Sequence, residues 1–319
     1  MPPNLSPHVS LYATRAGALP ARFRRTRVLI VGCGDVGLRV ALALPARLRL
    51  MALTSSPDRR GTLRDRGITP LIGNLDDPAS LRRLAGLGQR IIHLAPPPGQ
   101  GWDDPRTRAL TRALRLRSSP QAVVYGSTSG VYGDCRGEVV SETRPSGADT
   151  PRARRRMDAE NAIRFLGRSA RVRASILRIP GIYAPDREGG TPRERLQKGM
   201  PVLQPSDDVY TNHIHADDLA RACVAALWHA KPQRIYNVND DTCLKMGDYF
   251  DLAADLYGLP RPTRVPRSTA KDQLPLMLLS FMSESRRMDN TRLKRELRLR
   301  LRYPTVSAGL SVPRSETKA

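Results

Sequence analysis

The sequence predicts a doubly wound α/β fold, in which helices cover both faces of a parallel sheet. Continuous apolar runs recur along the first half, as expected for strands that are buried on both faces. They alternate with helical stretches through short connections, and a glycine-rich turn follows the first run directly. With 319 residues, 40% of them apolar and 26% charged, the chain has the composition of a globular protein that can bury a core without disulfides.

The predicted elements alternate along the chain. The first strand is 27–31, and the first helix, 35–43, ends before Pro45, which cannot continue it. Further strands are expected at 48–53, 69–72, 90–95, 122–125, 174–179 and 234–238. Further helices are expected near Leu63 and at 77–87, 217–229, 247–256 and 290–299.

Changes of composition indicate the domain boundaries. Residues 1–26 are rich in proline, contain no acidic residue and lack the apolar segment of a secretory signal, so we expect a poorly ordered basic tail. Residues 27–185 carry the strand and helix alternation of the sheet domain. Residues 186–319 form a smaller C-terminal lobe, from which about 208–240 returns to the sheet.

The net charge of +23 attracts polyanions without implying a specific nucleic-acid site. There is no zinc-finger spacing or helix-turn-helix signal, and aromatic residues are only 5% of the chain. The four cysteines lack CxxC spacing, which predicts reduced thiols. Because no apolar stretch approaches the ~20 residues of a membrane span, we expect a cytoplasmic protein without a membrane partner.

The glycine-rich turn reads Gly32-Cys-Gly34-Asp-Val-Gly37 and lies between the first strand and the first helix. In this position Gly32 permits a tight turn, Gly34 lets the backbone approach a pyrophosphate, and Gly37 allows close packing of helix and strand. We therefore expect the loop, with Asp35 and Val36 at the helix start, to bind a dinucleotide. The alternative is a glycine-rich turn without a ligand.

The end of the second strand indicates which dinucleotide binds. An NAD site has an Asp or Glu there for the ribose 2′-hydroxyl, whereas an NADP site has small hydroxyls and arginine. Here Thr54 and Ser55 end the strand, and Arg59 and Arg60 follow. The sequence thus favours NADP over NAD, although Asp58 is an alternative partner for the 2′-hydroxyl.

Four segments resemble a known family. They read VYGSTSGVYG at 124–133, LRIPGIYAP at 177–185, NHIHADDLA at 212–220 and YNV at 236–238. In this order they resemble the extended or atypical short-chain dehydrogenases, the group of NAD-dependent epimerases and dehydratases. The resemblance implies a Rossmann sheet of about seven strands with a C-terminal substrate lobe.

The resemblance also implies further cofactor contacts. Asn74 and Leu75 stand where family members contact adenine, and the strand ending at His93 would lie under the nicotinamide ribose. The remaining implied contacts are Leu94, Ala95, Pro96 and Pro180.

Family members catalyse with a Ser or Thr, a Tyr and a Lys, of which the tyrosine carries the proton. Thr128 matches the hydroxyl position, but the Tyr-x-x-x-Lys motif is replaced by Arg152-x-x-x-Arg156. Arg156 can still hold the ribose as lysine does. Arg152 cannot carry the proton, because guanidinium does not deprotonate at useful pH, but it would pair with an anionic substrate.

Three interpretations of the proton step remain open. Another phenol, Tyr132 or Tyr183, carries the proton; water or the substrate supplies it; or the protein binds NADP without turnover, as a regulator or sensor. We predict an NAD(P)-dependent oxidoreductase or epimerase/dehydratase that acts on a hydroxyl or carbonyl of a small, anionic molecule. A homodimer is compatible with this prediction.

The pair His213 and His215, followed by Asp217 and Asp218, could suggest zinc. A third well-spaced soft ligand is not evident in the sequence. We therefore expect no metal site and interpret these residues as a hydrogen-bonded turn before a helix.

Overall fold

Seven strands form the central sheet of the computed structural model, which describes residues 25–274, 279 and 282–311. The strands of the described chain are β1 (Arg27–Val31), β2 (Arg49–Thr54), β3 (Thr69–Ile72), β4 (Arg90–His93), β5 (Ala122–Thr128), β6 (Val139–Val140), β7 (Arg173–Ile179), β8 (Gly181–Tyr183), β9 (Val202–Leu203), β10 (Tyr210–Thr211), β11 (His213–His215), β12 (Arg234–Asn237), β13 (Leu244–Lys245), β14 (Arg264–Val265) and β15 (Arg287–Met288).

The order of the central sheet is β12-β7-β5-β4-β1-β2-β3, and every pair in it is parallel. The chain therefore builds outward from β1 through β2 and β3, and then returns to the other side of β1 through β4. Ligands of such sheets bind at the carboxyl ends of the strands, where the direction reverses. The arrangement confirms the predicted doubly wound α/β class.

Helices connect the strands and cover the sheet. Within the described residues they are α1 (Asp35–Ala43), α2 (Arg59–Asp65), α3 (Pro78–Leu81), α4 (Pro105–Ala113), α5 (Pro151–Ser169), α6 (Arg193–Gln197), α7 (Ala216–His229), α8 (Met246–Tyr257), α9 (Arg267–Gln273), α10 (Thr291–Glu296) and α11 (Val306–Leu310). Short 3₁₀ turns follow α3 at Arg82–Leu84 and β5 at Ser129–Tyr132.

The two faces of the sheet carry separate cores. Successive residues of a strand point to opposite faces, so Val28 packs with Leu219 of α7 on one face, while Leu29 packs with Leu110 of α4 and Ile163 of α5 on the other. Burial of both faces explains why β1 is a continuous apolar run instead of an alternating one.

The smaller lobe packs around α8, where Tyr183, Leu196 and Phe250 share a third buried cluster. The chain from 208 to 240 contributes α7, which covers α1, and β12, which forms one edge of the central sheet. No helix of the described part of the chain is long and apolar enough to cross a membrane. Of the predicted tail, 1–26, residues 1–24 lie outside the described part of the chain.

Candidate active site

The glycine loop lies at the carboxyl end of β1, beside the chain that leaves β4. Leu94 and Ala95 donate their backbone N–H groups to the Val31 carbonyl at 2.7 and 3.1 Å. Gly32 has φ +88°, and a Cβ there would lie 2.3 Å from the Ala95 nitrogen. Only glycine fits this turn, because both its backbone angle and its surroundings exclude a side chain.

The space around Gly34 is open, whereas the space around Gly32 is filled by neighbouring backbone atoms. A Cβ added at Gly34 would meet no described atom within 4 Å, and no described side chain caps the start of α1. A Cβ at Gly37, by contrast, would lie 2.8 Å from the Gly32 carbonyl oxygen. The helix start therefore presents free backbone N–H groups to an open space, the arrangement that binds a phosphate group.

Arg59 begins α2 and reaches the glycine loop, where its Nη2 donates to the Cys33 carbonyl oxygen at 2.6 Å. Thr54, at the end of β2, is tied by its hydroxyl to Ser56 at 3.2 Å. Ser55 and Arg60 are exposed beside them. The structure thus places Arg59 against the glycine loop and Thr54 at the end of the strand next to β1, while binding of a 2′-phosphate by these residues stays a prediction.

The first residues of α1 belong to an ionic cluster. The Asp35 carboxylate pairs with Arg39 at 3.1 Å and with Arg187 at 3.2 Å. Arg39 also pairs with Asp217 of α7 at 2.6 Å, and Val36 is half-buried against the core. These pairs fasten the start of α1 to the segment that follows β8.

The predicted adenine contacts lie after β3. Asn74 is exposed, and its Oδ1 accepts the Asp76 N–H at 3.0 Å, while Leu75 is half-buried. Asp76 is held by Arg106 through two contacts of 2.6 Å, and this partner lowers the pKa of the Asp76 carboxyl. Their contact with adenine stays a prediction.

A cleft of about 900 Å³ opens at the carboxyl ends of β5 and β7, between the sheet and the smaller lobe. Thr128 and Ser129 line it from the end of β5, Arg152 from α5 and Pro180 from the end of β7. The Thr128 Oγ1 accepts the Gly130 N–H at 3.3 Å, which orients its hydroxyl at the cleft wall.

Arg156 lies one helical turn from Arg152 and is half-buried beside β5. Its Nη1 donates to the Gly126 carbonyl at 2.8 Å and to the Tyr125 hydroxyl at 3.2 Å. Burial raises the pKa of Tyr125 to about 12, so this phenol stays neutral. Burial, with the charge of Arg156, lowers the pKa of His93 at the end of β4 to about 3, so the imidazole stays neutral as well.

A buried ion pair fixes β5 against α5. The Glu160 carboxylate accepts two hydrogen bonds from Arg178 at 2.9 and 3.1 Å and one from the Ser127 hydroxyl at 2.7 Å. Both side chains of the pair are at most 3% exposed. Thr128 therefore follows a residue whose position is held by a charge-assisted network.

Tyr132 and Tyr183, the two phenols predicted as proton carriers, are not among the described residues that line the cleft. The Tyr132 hydroxyl is buried and donates to the Asn237 Oδ1 at 2.6 Å, and the Tyr183 hydroxyl donates to the Thr305 carbonyl at 3.2 Å. Burial raises the pKa of both groups. The 3₁₀ turn thus places the Tyr132 ring in the core and not on the described cleft wall, and its role in catalysis stays a prediction.

Several cleft residues were not identified from the sequence. Most of them are arginines, and one is a carboxylate. They are Arg155, Arg187, Arg195, Tyr210, Glu284 and Arg286. They come from separate loops and helices and form no motif, so only the folded chain shows that they share a wall. Glu284 pairs with Arg286 at 2.8 Å.

The two histidines of β11 are structural. The His215 Nδ1 accepts the Asp217 N–H at 3.2 Å and so caps α7, while His213 stacks on Tyr249 with ring centroids 4.2 Å apart. Across the residues that the structure describes, no group of three His, Cys, Asp or Glu side chains is placed to hold a metal ion.

Comparison with known proteins agrees with this geometry. Residues 28–239, more than half of the chain, match the family model described as the NAD dependent epimerase/dehydratase family. The chain belongs to this family. The match confirms the resemblance drawn from the four sequence segments, and the family's cofactor is a nicotinamide dinucleotide. Among curated proteins, no match was found.

Solved structures of similar fold include a conserved protein of unknown function from Silicibacter pomeroyi DSS. It is 31% identical over 89% of this chain and 96% of that chain, with a TM-score of 0.75. The UDP-glucose 4-epimerase of Thermotoga maritima, with UDP-glucose, is 16% identical over 90% and 96%, with a TM-score of 0.73. The Streptomyces venezuelae dTDP-glucose 4,6-dehydratase, with NAD, is 20% identical over 90% and 95%, with a TM-score of 0.71. The last two show the shared fold.

Proposed function

We propose that this chain is an NADP-dependent oxidoreductase or epimerase/dehydratase that acts on a hydroxyl or carbonyl of a small anionic molecule. The observation that carries the proposal is the juxtaposition of an open glycine cradle at α1 with an arginine-lined cleft beside Thr128. The family membership supports the reaction class, and the substrate class rests on the charge of the cleft.

The residues present fit a dinucleotide. The empty space at Gly34 and the uncapped start of α1 suit a pyrophosphate, and Arg59 is placed beside them for a 2′-phosphate. Arg156 replaces the ribose-binding lysine, since its guanidinium is fixed on β5 and keeps further donors. The bound nicotinamide would supply hydride transfer to or from the substrate carbon.

The protein's own side chains orient the substrate and exchange its proton. The Thr128 hydroxyl donates to the substrate oxygen in its carbonyl form, which places the reacting carbon. Among the described side chains of the cleft wall, the two that can exchange a proton are the phenol of Tyr210 and the carboxylate of Glu284. One of these, or water, takes the role that tyrosine has in the family motif.

The charge of the cleft selects an anionic substrate. Arg152, Arg155, Arg195 and Arg286 line it, and Glu284 is the carboxylate among its described lining residues. Arg155 donates to the Gly101 carbonyl at 2.6 Å. Because a carbonyl is neutral, this partner does not cancel the positive charge of the guanidinium. Guanidinium groups pair with carboxylate or phosphate through parallel N–H bonds, so this wall favours such a group on the substrate.

A substrate screen tests the proposal. The purified protein is incubated with NADPH and a panel of aldehydes and ketones in matched neutral, carboxylated and phosphorylated forms, and cofactor absorbance is followed. We expect turnover of anionic members, a large loss in Thr128→Ala, and separate losses in Tyr210→Phe or Glu284→Gln according to which group exchanges the proton. Turnover limited to neutral members would contradict the anionic assignment.

The replacement of the family tyrosine by Arg152 favours a second candidate, a non-catalytic NADP-binding regulator. The buried positions of Tyr132 and Tyr183 also support it, because neither phenol reaches the cleft. Tight NADPH binding without turnover of any panel member, and with a change of Tm on binding, is the result expected of the regulator.

A further inference from the structure

Two arginines lie at the amino end of the sheet, opposite the cleft. Arg90 is the first residue of β4 and Arg173 the first of β7, and both are in register with Ala122 of the intervening β5. Residues in register point to the same face, so both side chains extend toward α7. The strand β7 has seven residues, which separates this end from the cleft by about 20 Å.

Both guanidinium groups donate to one acceptor. The Arg90 Nη1 and the Arg173 Nη2 each lie 2.8 Å from the Leu227 carbonyl oxygen in the last turn of α7. A carbonyl oxygen has two lone pairs, and these two bonds use both. Arg90 is further fixed because its guanidinium carbon lies 3.9 Å from the centre of the Trp228 ring.

The protein does not neutralise this pair. Neither arginine forms an ion pair with a carboxylate of the described residues, and the Nε atoms of both are buried without a hydrogen-bond partner there. The pKa of Arg90 is lowered by burial and by the charge of Arg173, so the two groups repel each other. The end of α7 contributes only about half a negative charge.

The bond to the Leu227 carbonyl, which caps α7, uses one N–H group of each guanidinium. The other N–H groups have no part in capping the helix. Five N–H groups project from every arginine, and those not used here form two planar donor sets that share one place and one sign of charge. Both residues are half-buried, so part of each side chain is open to solvent. An oxyanion that accepts from the remaining Nη groups of both arginines would supply the missing negative charge.

We propose that Arg90 and Arg173 bind the phosphate or carboxylate group of a small ligand, at a site separate from the cleft. The inference does not depend on the proposed reaction. It accounts for two like charges held side by side, where a hydrophobic or mixed-charge pair would stabilise the fold better.

Inorganic phosphate is the probe, and thermal unfolding of the full chain at constant ionic strength is the readout. Variants Arg90→Gln and Arg173→Gln are compared with Arg195→Gln in the cleft and with Arg112→Gln, an exposed arginine of α4 that matches the charge change. We expect phosphate to raise the Tm of wild type. The apparent Kd should rise about tenfold or more in each of the first two variants and stay unchanged in Arg112→Gln, whereas Arg195→Gln reports separately on phosphate that binds in the cleft.

Three results would overturn the proposal: no phosphate effect on wild type, loss of the effect in Arg195→Gln alone, or an equal effect in all variants. Crystallisation of the wild-type protein with tungstate gives a second test that needs no variant. An anomalous peak between Arg90 and Arg173 is expected, whereas peaks confined to the glycine loop or the cleft would refute the site.

Discussion

Replacing Glu160 by glutamine tests the network that holds β5 and α5 together. The substitution keeps the shape of the side chain but removes its charge, and Arg178, whose side chain is 3% exposed, stays in place. A buried guanidinium then loses its counter-ion while the Ser127 hydroxyl keeps a neutral partner. Arg164, which pairs with the same carboxylate at 3.4 Å, loses its partner as well, but it is partly exposed to solvent and contributes less than Arg178.

The expected cost follows from the burial of the pair. Removing one partner of a buried ion pair destabilises a protein by about 3–5 kcal/mol, because the remaining charge is desolvated without compensation. The unfolding entropy of about 300 residues is about 0.6 kcal/mol per kelvin at the midpoint. We therefore expect the Tm of Glu160→Gln to fall by about 5–8 °C.

The assay is denaturant unfolding of the single variant and of the double variant Glu160→Gln/Arg178→Met, with thermal scans alongside. Methionine fills the volume of Arg178, which lies 4.6 Å from the Tyr132 ring, without its charge. The double variant should recover about 2 kcal/mol or more of the loss, since the two effects are coupled. A single-variant loss below about 1 kcal/mol, or strictly additive losses, would refute the reasoning.

Three further outcomes are expected. Arg59→Gln should weaken NADPH binding about tenfold more than NADH binding in a fluorescence titration, because only NADPH carries the 2′-phosphate, whereas the lost contact with the Cys33 carbonyl affects both cofactors; equal weakening of both would contradict this. Gly32→Ala should prevent soluble expression, since its Cβ would lie 2.3 Å from the Ala95 nitrogen. With the pKa of His93 at about 3, against an ordinary 6.5, unfolding takes up a proton below pH 6.5. Acidification from pH 7 to 5 should therefore lower the free energy of urea unfolding by about 2 kcal/mol through His93, beside a separate loss through His213, whose pKa burial lowers to about 4. His93→Gln should remove the His93 part of the pH slope, and an unchanged slope in that variant would contradict this.

Local patterns predicted the first half of the fold well. The helix α1 has the predicted bounds because the glycine loop starts it and Pro45 follows its end. The strand β5 extends three residues past its predicted end, to Thr128, since pairing with β7 overrides the weak strand preference of Gly126 and Ser127.

The helix α4 was not predicted, although its start carries a signal. The Asp104 side chain accepts the Thr107 N–H at 3.0 Å, and Pro105 occupies the first helical turn. Its buried positions include alanine and threonine, which give a weak apolar period. At the other end of the chain, α10 stops at Glu296 instead of 299, because Arg298 adopts a left-handed backbone conformation with φ +52°, which ends an α-helix.

The sequence predicted only those parts of the candidate site whose residues lie together in one short segment of the chain. The glycine loop, Thr128 and the position of Arg156 follow from short motifs. The arginines of the cleft do not, because Arg195 and Arg286 come from distant segments that tertiary packing brings together. The side-chain direction of Tyr132 was likewise set by a turn and by a buried partner that no local pattern shows.

The most direct test of the account is cofactor titration of wild type and Gly34→Val, with NADPH and NADH in parallel. A Cβ at Gly34 would meet no described atom within 4 Å, so the variant should keep a Tm close to that of wild type. We expect wild type to prefer NADPH, and Gly34→Val to lose both cofactors because its side chain fills the space for the pyrophosphate. Absence of binding to wild type, or undiminished binding to the variant, would contradict the central claim that this loop is a dinucleotide site.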